Sequence, residues 1–133
     1  MLGERDTEHY GSMTLKDMED SISSKAEQLG LKCDFFQTNH EGLLVDKIQE
    51  IRKSIDAVII NPGAWTHYSY AIRDALELLV CPIVEVHLSD IDNREEWRRH
   101  SVIRDVCSHV ISGKGPDGYD EALQWLAGEL QSG

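Results

Sequence analysis

Positive charge is scarce in this sequence. Its 13 Lys and Arg stand against 24 Asp and Glu, for a formal net charge of −11 over 133 residues. Such a surface repels phosphate backbones and anionic lipid, which argues against nucleic acid and membrane as partners. It leaves open a small anion held by a local arginine. Cysteine is also sparse. Cys33, Cys81 and Cys107 lie far apart in apolar runs and form no C-x-x-C pair. Neither a zinc knuckle nor a disulfide framework fits, and buried free thiols are the natural reading. No apolar run reaches the length of a membrane span. The first ten residues, MLGERDTEHY, lack the basic and apolar regions of a signal peptide, so a cytoplasmic location is expected. G-x-G-x-x-G, Walker, G-x-S-x-G and H-E-x-x-H motifs are missing too. Nucleotide binding, serine hydrolysis and a zinc-protease site therefore have no signature, and neither metal nor cofactor is expected.

What is present is an ordinary globular chain. Apolar residues make up 41% and charged residues 28%, enough for one core and one domain over residues 1–133. In TLKDMEDSISSKAEQLG, Leu15, Met18, Ile22, Ala26 and Leu29 recur at helical spacing. Thr14 is placed to cap this helix with Asp17, and Gly30 to end it. Strands are expected at Leu31–Phe36, Asp56–Asn61, Cys81–Leu88 and within Asp105–Gly113. Further helices are expected at Glu41–Ser54, Tyr68–Leu79 and Gly118–Leu130, the last with Asp117 as a cap. Strands alternating with helices across short connections imply βαβ units and a parallel sheet in a layered α/β fold.

In such sheets ligands bind outside the carboxyl ends of the strands. The polar residues gather there. Asn61 ends one strand and His67 precedes the next helix, in INPGAWTHYSYAIRDAL. Glu85 and His87 stand near the end of EVHLSD, with Ser89 just past it. Side chains alternate along a strand, so Glu85 and His87 share a face. A carboxylate so placed can orient the imidazole and favour its protonated form, as a proton donor requires. A histidine merely satisfied at a strand end fits equally well. The Leu88 and Ser89 amides and Arg98 suit an anion, although the REEWRRH run also suits a solvated turn. Asn61-Pro62-Gly63 alone reads more simply as a turn. In GERDTEHYGS, Arg5 could lower the Tyr10 phenol and make it a base, or the segment could be a free arm.

The blocks LGERDTEHYGSMTL, FFQTNHEGLLVDKI, INPGAWTHYSYAIRDAL, PIVEVHLSDIDNREEWRRHS and ISGKGPDGYDEALQWL resemble, in order and spacing, the type II 3-dehydroquinate dehydratases, from Leu2 to about Leu130. The resemblance implies a flavodoxin-like three-layer fold and a shikimate-pathway lyase, usually a dodecamer built from trimers. It implies trans-elimination of water from 3-dehydroquinate to 3-dehydroshikimate, without metal or cofactor. Tyr10 resembles the base that takes the C2 proton, and Arg5 the arginine that keeps the phenolate ionised and steadies the enolate. His87 resembles the acid for the leaving hydroxyl, with Glu85 orienting it. Asn61, His67 and Arg98 resemble substrate ligands, the Leu88 and Ser89 amides the carboxylate site, and Asp74 the aspartate that reaches a neighbouring subunit's substrate.

The chain departs from the family pattern in three ways. The family has an apolar first strand and a G-P-N-L-N motif before the Leu2-Gly3 pair, so an N-terminally truncated form of the fold is expected. Asp90 stands where asparagine is common, and Asp92 where histidine is. The loss of an inner strand defines a rival reading, a non-catalytic α/β subunit that kept the rim but lost turnover. A different lyase or isomerase acting on a related cyclic acid is a second.

Overall fold

The computed structural model describes residues 14–88 and 101–132. Helix α1 spans Leu15–Gln28 and begins in the capping box expected of Thr14 and Asp17. It closes in a Schellman arrangement: Gly30 N–H donates to Glu27 O at 3.0 Å and Leu31 N–H to Ala26 O at 2.8 Å. That geometry puts Gly30 at φ 77°, which an L side chain resists. Helix α2 is Glu41–Ile51. Strand β1, Val58–Ile60, runs into a 3-10 turn at Gly63–His67 and then helix α3, Tyr70–Glu77. Strand β2 is Ile83–His87. A second 3-10 turn at Arg104–Val106 precedes strand β3, His109–Ser112, and helix α4, Asp117–Ser132.

The three strands form one parallel sheet in the order β1-β2-β3. Ile60 lies opposite Glu85, and His87 opposite Ser112. Helices cover both faces, giving three layers. On one face Met18, Ile22 and Ala26 of α1 meet Val84, Val86, Leu88, Ile111 and the α4 residues Tyr119, Ala122, Leu123 and Leu126. On the other, Leu44 and Ile48 of α2 and Ile72, Ala75, Leu76 of α3 meet Ile60, Ile83, Val102 and Ile103. The period of two in β2 therefore sends Val84 and Val86 to the α1–α4 side. It sends Glu85 and His87 to the side of α2 and α3.

The expected strand at Leu31–Phe36 is not one. Leu31 and Cys33 do turn into the α1–α4 core, while Lys32 and Asp34 stay exposed, which is strand alternation. The ladder is what is missing. A strand exists by pairing, and among the described residues the outer edge of β1 has no neighbour to offer one. The sheet therefore has three strands among the described residues where the sequence reading expects four. The cysteines also differ from expectation: all three are free, but only partly buried.

Candidate active site

The site grows from the end of the central strand. Glu85 is 0% exposed and His87 5%. A carboxyl in such a place must be neutralised or fully hydrogen-bonded. Here it is hydrogen-bonded on several sides. His87 Nε2 contacts Glu85 Oε2. Thr66, in the turn between β1 and α3, donates its hydroxyl to the same oxygen at 2.5 Å. Ser101 Oγ lies 3.1 Å from Oε2 and 3.2 Å from Oε1.

Burial by itself would push the Glu85 carboxyl up. The hydrogen bond and charge of His87, with the Thr66 and Ser101 hydroxyls, outweigh it and hold the group below its ordinary value. The carboxylate is thus ionised and accepts only. His87 Nε2 must then carry a proton, which leaves Nδ1 as the nitrogen at which a second proton is gained or lost. A histidine ring oriented by a buried anion at Nε2, with Nδ1 left to carry the proton it gives, is suited to act as a general acid.

The flanking segments are tied to this centre. Thr66 O accepts from Val102 N–H at 2.6 Å. Arg73 of α3 donates from Nη1 to Val102 O at 2.7 Å and pairs with Asp105 at 3.6 Å. Asn61 is buried directly past β1, and its Oδ1 accepts from Gly63 N–H at 3.2 Å. This is the Asx turn that Asn-Pro-Gly sequences favour, and it turns the carboxamide NH2 into the group left to offer. The turn and a ligand role are therefore compatible. His67 ends the 3-10 turn, partly buried.

The structure brings Asn61, His67, Glu85, His87 and Leu88 to the carboxyl ends of β1 and β2, as the sequence predicts. Leu88 is buried one residue past β2, with its carbonyl accepting from Gly115 N–H at 2.9 Å. Asp74 is not part of this cluster. It is exposed on α3, on the side away from Ile72, Ala75 and Leu76. Arg5, Tyr10, Ser89 and Arg98 lie outside the described residues. Thr66 and Ser101 received no role from the sequence reading. A threonine in a tryptophan-containing turn and a serine after a charged run carry no signal until the fold puts both against one carboxylate.

The chain is similar to known proteins over nearly its whole length. The family model described as "Dehydroquinase class II" matches residues 1–127. A 3-dehydroquinate dehydratase of Syntrophotalea carbinolica is 52% identical, over 92% of this chain and 84% of its own length. One from Bacillus pumilus is 46% identical, over 96% and 87%. The crystal structure of type II dehydroquinase from Propionibacterium acnes superposes with a TM-score of 0.89 at 41% identity, covering 96% of this chain and 88% of that one.

Proposed function

The chain belongs to the class II dehydroquinase family, and its reaction is the dehydration of 3-dehydroquinate; we propose that it proceeds by a tyrosine base and a histidine acid through an enolate. The observation that carries this reading is the Glu85–His87 pair, buried at the carboxyl end of the central strand. The substrate is a β-hydroxy ketone with a ring carboxylate. Its C2 proton is acidified by the ketone. Tyr10, kept ionised by Arg5, removes it, and Arg5 steadies the oxygen of the enolate. Collapse of the enolate expels the β-hydroxyl, which leaves as water with the proton from His87 Nδ1. Glu85 offsets the imidazolium charge and keeps the ring oriented, acting through His87. Product release returns the proton to His87 and the phenolate to Tyr10.

The polar groups around this pair suit the rest of the molecule. Asn61 and His67 take ring hydroxyls, while the Leu88 and Ser89 amides and Arg98 take the carboxylate. Asp74, exposed on α3 between the exposed Tyr70 and Leu78, belongs to a face that a second copy of the chain covers. In that assembly Asp74 reaches a neighbour's substrate, and trimers join as a dodecamer. The location is cytoplasmic. Among the described residues no helix is long and apolar enough to cross a membrane.

The test is enone absorbance on incubation with 3-dehydroquinate. Turnover by the chain that falls on the order of 10²-fold or more in His87→Asn supports the assignment, since a positioned general acid contributes that much. Folded protein without turnover overturns it. A companion variant, Asp74→Asn, is expected to keep the fold and lose rate, with the loss confined to the assembled form on size exclusion.

A further inference from the structure

We propose that Thr66 and Ser101 are positioning residues for the dehydration: with the Arg104 N–H they form a one-way relay of hydrogen bonds that holds Glu85 as an oriented carboxylate behind His87. This deepens the dehydratase reading and rests on it for its kinetic part.

The direction of the relay follows from counting protons. Each hydroxyl has one hydrogen to give. Glu85, as an anion, can only accept, so the 2.5 Å contact from Thr66 Oγ1 is a donation, and its length is that of an O–H···O⁻ bond. Thr66 has then spent its hydrogen. Its 2.6 Å contact with Ser101 Oγ must run from Ser101 to Thr66 whenever Ser101 is not donating to Glu85 directly. The Ser101 oxygen accepts in turn from Arg104 N–H at 3.1 Å. Every proton in the chain of contacts points toward the carboxylate. Hydrogen bonds so aligned polarise one another, and the strengthening is felt at the charged end.

The relay also joins three separate pieces of the fold. Thr66 comes from the turn after β1, Glu85 from β2, and Ser101 from the segment before Arg104–Val106. The Val102 N–H to Thr66 O bond of 2.6 Å and the Arg73 bond to Val102 O of 2.7 Å fix the distance between the two hydroxyls. The backbone thus sets the relay independently of the carboxylate. A carboxylate held by three donors, His87 among them, cannot turn its Oε2 away from Nε2. The ring of His87 is held with it.

Among the described residues, the titratable groups that face Glu85 are His87 on its own strand and Cys107 beyond the second 3-10 turn, with Arg104 beside that thiol. Burial, with the nearby Glu85 charge, pushes the Cys107 thiol up to about 12, so it stays neutral through any acidic titration. A change on the acid side therefore does not come from this thiol.

The test compares Thr66→Val, which keeps the shape and removes the hydroxyl, with Thr66→Ser, which keeps the hydroxyl, and with Ser101→Ala. The readouts are kcat and KM for 3-dehydroquinate and the ¹³C titration of the Glu85 carboxyl. In Thr66→Val, kcat is expected to fall roughly tenfold or more with little change in KM, because a hydrogen bond to a charged group is lost while substrate contacts remain. The Glu85 titration is expected to move to higher pH by about one unit. Thr66→Ser is expected to restore most of the rate and the original midpoint. An unchanged Glu85 titration in folded Thr66→Val overturns the relay. So does a Thr66→Ser chain as impaired as Thr66→Val, since a role in packing alone would give that result. If Thr66→Val fails to fold, Ser101→Ala decides by the same readouts, with a smaller upward shift expected and no shift overturning the proposal. A chain without turnover on 3-dehydroquinate would sink the dehydratase reading, while the carboxyl titration would still decide the relay.

Discussion

Glu85 is the residue on which stability and chemistry meet. Its carboxyl titrates below the ordinary 4.5 in the folded chain, despite a burial that alone would raise it. The folded state thus binds this proton less readily than the unfolded state. The stability it contributes is complete above that ordinary value and is lost as pH falls through the lower folded midpoint. Urea melts are expected to be flat for this group above about pH 6 and to weaken below 4.5. Glu85→Gln, which has no such proton to bind, is expected to show a shallower acid decline while being less stable near neutrality. Cys107 makes a separate prediction. A thiol pushed up to about 12 carries almost no thiolate near pH 8, so Cys107 is expected to react with a disulfide reagent far more slowly in the native chain than in urea. At this scale the Glu85–His87 pair was legible because a strand has a period of two. Thr66 and Ser101 were not, because 35 residues separate them and only the crossing of two turns over β2 brings them together.

Among the elements, helices were easier to read than strands. Thr14, Asp17 and Gly30 act locally, so α1 could be delimited from its own sequence. Gly30→Ala is expected to cost about 1 kcal/mol, measured by denaturant midpoint. The added Cβ meets nothing within 4 Å, so the cost is that of a left-handed backbone alone. Gly118, near the start of α4, poses the opposite case. A Cβ there would lie 3.2 Å from Val86 Cγ1 and 3.5 Å from Ile111 Cγ2, both buried in the sheet. Gly118→Ala gains helix propensity of about 1 kcal/mol. Overpacking of about 1–3 kcal/mol is expected to exceed that gain and lower the thermal midpoint. Strands depend on neighbours that the local sequence does not name. Residues 31–34 have the alternation of a strand, yet no ladder forms among the described residues, because pairing is a property of two segments.

For the whole molecule, the layered α/β plan followed from alternation of elements, and the site followed from the rule that loops at the carboxyl ends of parallel strands hold the ligand. The assembly proposed above rests on resemblance alone, since Asp74 and the exposed Tyr70 and Leu78 look like any solvated helix face. Glu85 sits on the strand that pairs on both sides, with Ile60 and Val110 as its register partners. Frayed ends and loops open cheaply, whereas a strand flanked on both sides opens only when the sheet comes apart. The amide hydrogens of Val84 to Val86 should therefore exchange only through global unfolding. The Glu85–His87 pair should then keep its place in denaturant until the sheet itself comes apart.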